Sequence, residues 1–94
     1  MKNLLLYLIL ATKGGETRAK IIKALNEKPM NANQLASKLN LDYKTIQHHL
    51  RILLDNNILT VTKKNNYGAL YLLSDEMQYN IKLFEEIWNK FGKK

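Results

Sequence analysis

Residues 33–59 read NQLASKLNLDYKTIQHHLRILLDNNIL, and two helical periods run through them. Leu35, Ala36 and Leu39 give one narrow apolar face to a short helix, from about Asn33 to Leu39, that Asn31 or Asn33 caps. A tight NLDY connection follows, and then a longer helix from about Asp42 to Asn56. Asp42 is a good N-cap residue. Asn57 falls where a helix end favours a left-handed backbone, which Gly supplies best and Asn next best.

The second helix has two unlike faces. At about 100° per residue, Ile46, Leu50 and Leu53 fall within about 60° of one another and form the stripe that faces the core. Lys44, Gln47, His48 and Arg51 fall on the opposite side, within about 100° of one another. His48 and His49, the two histidines of the chain, diverge by about 100°. Metal pairs on a helix need i, i+3 or i, i+4 spacing, so these two cannot share an ion. His49 reads as a partly buried ring, hydrogen-bonded near a helix contact. His48 belongs to the polar face.

Upstream, Ala19, Ile22 and Leu25 mark a helix from about Thr17 to Glu27, and Pro29 marks its exit. Before it, Leu4 to Ala11 is an unbroken apolar run, read as a helix over about 3–12 that Gly14 and Gly15 stop. The run is too short for a bilayer, which takes about 20 residues, and no convincing cleavage site follows it. A helix with no polar face must be covered on every side.

Downstream the period changes. ILTVTKK (58–64) and GALYLLS (68–74), joined through NNYG (65–68), predict a β-hairpin. Ser74 is placed to cap the last helix, over about 75–91, with Asp75 and Glu76 in its first turn. Met77, Ile81, Phe84, Trp88 and Phe91 recur there at alternating steps of four and three, a coiled-coil-like seam.

The expected fold is mainly α with a β-hairpin wing, a winged helix-turn-helix filling residues 1–94 as one domain. The helix-turn-helix occupies about 31–56 and the wing about 58–73. The terminal helices, about 3–12 and 75–91, are left with apolar surface, and one small domain cannot easily cover both. A two-fold dimer can. Leu4, Leu8, Met77, Ile81, Phe84, Trp88 and Phe91 are therefore expected at a homodimer interface.

Composition agrees with this picture. The chain has 94 residues, 46% hydrophobic and 24% charged, with a net charge of +7 and a pI near 9.7. That is globular composition with an anionic partner, nucleic acid before membrane. Residues 13–64 carry ten basic and four acidic residues, so the excess lies on the helix-turn-helix and the wing. There is no cysteine, which removes thiolate chemistry and Cys-type zinc sites and fits a reducing compartment. No nucleophile–base pair, phosphate-binding glycine loop or paired acidic site points to an enzyme.

The polar face of the second helix suits the major groove of double-stranded DNA, which admits one α-helix. Arg51 can grip guanine and Gln47 can pair with adenine. Lys44 reaches guanine or a phosphate, His48 shares the face, and Tyr43 and Thr45 are placed for the backbone. Lys63 and Lys64 sit at the wing tip, suited to phosphates or a minor groove.

In ETRAKIIKAL (16–25), the helix-turn-helix text and the hairpin, the chain resembles the ArsR-type winged-helix transcription regulators. Thr17–Arg18, Leu35–Ala36 and Ile46 to Leu53 fit the family frame of Thr-Arg, Leu-Ala and Val-Ser-x-His-Leu-x-x-Leu. Asn57 stands where the family usually has Gly. The resemblance implies a homodimeric, cytoplasmic DNA-binding regulator that represses by blocking a promoter. The resemblance is to an archaeal-like variant that lacks the cysteine metal-sensing motif, and the chain has no His after His49. No metal and no cofactor are expected, and no effector is identified. A winged helix that docks on another protein of the transcription machinery is the alternative.

Overall fold

In the computed structural model of the chain, the described residues are 1–63 and 68–91, the last by its backbone alone. The apolar run forms α1, Lys2–Leu6, continued by a π-helical turn at Tyr7–Ala11. Thr12 then turns to an extended backbone, and Gly14 takes a left-handed φ of 89°. Gly15 begins α2, Gly15–Glu27. A Cβ on Gly15 would stand 1.9 Å from the carbonyl oxygen of Ile9. Only glycine lets the two helices meet there.

The helix-turn-helix is α3, Ala32–Leu39, and α4, Tyr43–Asp55. Asn31 caps α3 through a capping box: its Oδ1 accepts from Gln34 N at 2.7 Å, and Gln34 Oε1 accepts from Asn31 N at 2.8 Å. Both helices end on a left-handed asparagine, Asn40 at φ 56° and Asn57 at φ 59°. Leu41 N donates to Ala36 O, and Ile58 N donates to Leu53 O. These are Schellman closures, and in the second Ile58 and Leu53 are both buried. Asp42 stands at the N-cap of α4 without bonding a backbone N–H. Its carboxylate accepts instead from the hydroxyl of Thr45.

The wing pairs β1, Leu59–Val61, with β2, Tyr71–Leu73, antiparallel, with Leu59 opposite Leu73 and Val61 opposite Tyr71. The NNYG turn falls on Asn65, Asn66 and Tyr67, outside the described residues. Met30, between α2 and α3, adds a one-residue rung on the other edge of β2. It exchanges two backbone hydrogen bonds with Tyr71, at 3.1 and 2.8 Å. A one-residue rung has no period, so the sequence pattern does not contain it.

Ser74 starts the last segment. Its Oγ accepts from Met77 N at 3.0 Å and donates to Asn57 O at 2.8 Å. This ties the wing's exit to the end of α4. The expected helix over 75–91 is two helices, α5, Asp75–Tyr79, and α6, Ile81–Phe91. Asn80 breaks it, with Nδ2 donating to Glu76 O at 2.8 Å. Such local side-chain bonds compete with the helical ladder. The core draws on α1, α2, α3, α4 and α6, whose Leu5, Ile21, Ile22, Leu35, Ile46, Leu53 and Phe84 are all buried. Among the described residues no helix is long and apolar enough to cross a membrane.

Candidate nucleic-acid interface

One helix face gathers most of the sequence-predicted residues. Ile46, Leu50 and Leu53 of α4 are at most 1% exposed, which fixes the helix's rotation. Tyr43, Lys44, Gln47, His48 and Arg51 are all exposed on its other side. Gln47 Nε2 donates to the phenol oxygen of Tyr43 at 3.0 Å. Arg51 has a side chain 81% exposed, and among the described residues its ion pair is a loose 4.0 Å contact with Asp55 one turn on. Such exposed pairs are weak, so the guanidinium remains available. Thr45 is half-buried and its proton is taken by Asp42. The hydroxyl oxygen can still accept a hydrogen bond.

On the wing, Lys63 is exposed. Lys64 lies outside the described residues. Val61, the last residue of β1 and two before Lys63, is an apolar residue 41% exposed.

The histidines separate as expected. His48 is exposed and His49 is 7% exposed, with the rings edge-on at 5.1 Å. His49 Nδ1 meets Arg18 Nη1 at 3.1 Å. A guanidinium has only donors, so Nδ1 accepts and the ring proton sits on Nε2. Burial, then the charge of Arg18, then His48 hold the His49 pKa below the ordinary imidazole value. Arg18 is itself 2% exposed, and burial lowers its pKa. The sequence frame contains Arg18 but does not reveal that it is buried or what it bonds. No periodicity signals a pair 31 residues apart.

The dimer residues need correction. Leu8, Met77 and Phe84 are 3%, 0% and 1% exposed within the chain itself, so they are spent on its own core. The break at Asn80 divides the seam, and α6 turns Phe84 and Ile87 inward. Leu4, Ile81 and Trp88 stay half-exposed. The side chain of Phe91 lies outside the described residues. Tyr7 and Leu10, not expected at the surface, are 59% and 38% exposed. Among the described residues no group of three or more His, Cys, Asp or Glu is placed to hold a metal ion.

Comparison with known proteins gives a consistent answer. The family model for the bacterial regulatory proteins of the arsR family matches residues 15–61. An uncharacterized HTH-type transcriptional regulator of Methanocaldococcus jannaschii, MJ1325, is 32% identical over 75 residues, covering 79% of this chain and 84% of the relative. Among solved structures, the homodimeric winged helix-turn-helix DNA-binding domain of Mb0332 from Mycobacterium bovis superposes with a TM-score of 0.75 at 13% identity. It covers 98% of this chain and 82% of that one. The transcriptional repressor BigR of Xylella fastidiosa gives 0.72 at 18% identity, covering 95% and 81%. The transcriptional regulator HlyU of Vibrio vulnificus gives 0.70 at 26% identity, covering 93% and 88%.

Proposed function

The chain belongs to the arsR family of DNA-binding transcriptional regulators, and on that premise we propose that it is a sequence-specific repressor that binds double-stranded DNA as a homodimer. The supporting observation is the outward face of α4. Lys44, Gln47, His48 and Arg51 are exposed together, opposite a stripe that fixes the helix's rotation. The helix rests on α3 and β1, so it is held rigidly for insertion into a major groove. Arg51 and Gln47 read base edges. Lys44, Tyr43, Thr45 and the wing lysines Lys63 and Lys64 grip the backbone, and His48 lies among them.

The partner copy packs on the terminal helices. Tyr7 and Leu10 of the N-terminal helix, with Leu4, Ile81 and Trp88, supply the apolar surface that the chain does not cover itself. Residues 1–94 act as one DNA-binding unit, working in the cytoplasm by occupancy of a promoter rather than by catalysis. BigR is described as a transcriptional repressor and Mb0332 as homodimeric, which supports both parts of the reading.

Selection of bound sequences from a random duplex library tests it. A two-fold symmetric consensus is the expected result. No enrichment would defeat this reading and favour a winged helix that docks on another protein.

A further inference from the structure

Arg18 is 2% exposed, yet among the described residues its partners include no carboxylate. Its Nε donates to Leu8 O at 2.9 Å. Its Nη2 donates to Lys13 O at 3.1 Å and to the hydroxyl of Thr12. Its Nη1 donates to His49 Nδ1 at 3.1 Å. Three of these four anchors belong to the end of the N-terminal helix and the bend after it. The fourth is on α4. The carbonyls of a helix's last turn lack donors from within the helix, and a cation is favourable at that end. The position therefore compensates a buried guanidinium without an acid.

The planar fork of a guanidinium also fixes directions, which a lysine ammonium does not. The His49 ring has no freedom to follow a displaced partner. A Cβ on Gly14 would stand 2.5 Å from its Cε1 and 3.2 Å from Arg18 Nη1, so backbone closes over the pair. Helix α4 cannot rotate or slide against the N-terminal helix without breaking this bond.

We propose that Arg18 and His49 are positioning residues for DNA recognition: their buried bond fixes the reading helix against the N-terminal helix and so sets the half-site spacing that the dimer accepts. The inference rests on the reading of the chain as a DNA-binding dimer whose terminal helices meet. Neither residue touches DNA in it. Half-site spacing in such dimers mirrors the distance and tilt between two recognition helices, and here that geometry passes through Arg18.

The test uses the selected half-site in duplexes whose two copies are moved together or apart in single base-pair steps. The wild-type chain is expected to prefer one spacing. His49→Leu puts an apolar, helix-favouring side chain in the buried position and removes the acceptor. It is expected to lose about tenfold at the preferred spacing and to flatten the spacing preference, while the base preference within each half-site stays. His49→Asn places an amide oxygen near the position of Nδ1 and is expected to restore the preference. A His49→Leu variant with the wild-type spacing profile overturns the proposal. So does a His49→Asn variant as impaired as His49→Leu, since a ring-shape effect would then suffice. Nitrogen NMR of the wild-type ring gives a reading independent of any variant's folding. An unprotonated Nδ1 is expected, and a protonated Nδ1 overturns the bond. Failure of the underlying reading shows earlier and differently, as a wild-type chain that is monomeric or selects no sequence; either removes the basis of the proposal.

Discussion

Gln47 donates through Nε2 to the phenol oxygen of Tyr43, 3.0 Å away and one turn back on the exposed face of α4. The bond takes one N–H of the carboxamide and leaves the other N–H and Oε1 free. Bidentate pairing with adenine uses one such donor and one such acceptor. Tyr43 thus orients the group before DNA arrives. Tyr43→Phe removes only the oxygen. It should lower discrimination at the base pair read by Gln47 by about 0.5–1.5 kcal/mol, the net worth of one ordinary hydrogen bond. Affinities for the selected site and for its variants at that pair give the ratio. A ratio equal to that of the unmodified chain would separate Tyr43 from base reading.

Stability should fall on mild acidification through His49. The unfolded chain takes up a proton at the ordinary imidazole value, about 6.5, whereas the folded ring resists it. The unfolded state therefore binds more protons as pH drops through about 6.5, and stability is lost until the lower folded pKa is passed. Above about 7 the contribution is complete. Urea midpoints measured at several pH values from 7.5 downwards should show the loss, and His49→Asn should remove that part of the slope. Equal slopes in the two proteins would assign the acid sensitivity to other groups.

Phe84 and Trp88 stand one turn apart on α6 but should respond differently to truncation. Phe84 is 1% exposed in the isolated chain, so Phe84→Ala should cost about 3–5 kcal/mol of folding stability. Trp88 is only half-buried. Its truncation should cost less in folding and more in association. Denaturant melts at fixed concentration and sedimentation at micromolar concentrations separate the two quantities. If Trp88→Ala left the dimer intact, the α6 part of the proposed interface would have to be moved.

Much of the fold follows from local signals. The left-handed Asn57, the Ser74 cap and the apolar stripe of α4 are each written within a few neighbouring residues, where periodicity and capping operate. The outward face of α4 was legible for the same reason, since a helix whose buried stripe is known has its exposed side determined. What depends on distant partners was not legible. Whether Phe84 fills its own core or a partner's depends on how α6 packs against α1, a segment far away in the sequence. Arg18 stands in the sequence only as part of the Thr-Arg frame, with nothing beside it to show burial. Only the meeting of the π-helical turn, α2 and α4 reveals it as a buried link to His49. The Met30–Tyr71 rung likewise joins segments far apart in sequence.

The most direct test separates the residue that reads from the residue that grips. It measures duplex affinity for Arg51→Ala and Lys63→Ala on the selected site, on its single-base variants and at several salt concentrations. Arg51→Ala should cost about 1–3 kcal/mol per half-site and relax the preference at one base pair in each. Lys63→Ala should weaken all sequences alike and flatten the slope of log K against log salt by about one unit. If Arg51→Ala lowered affinity equally on every sequence while Lys63→Ala altered the base preference, α4 would not be the reading element.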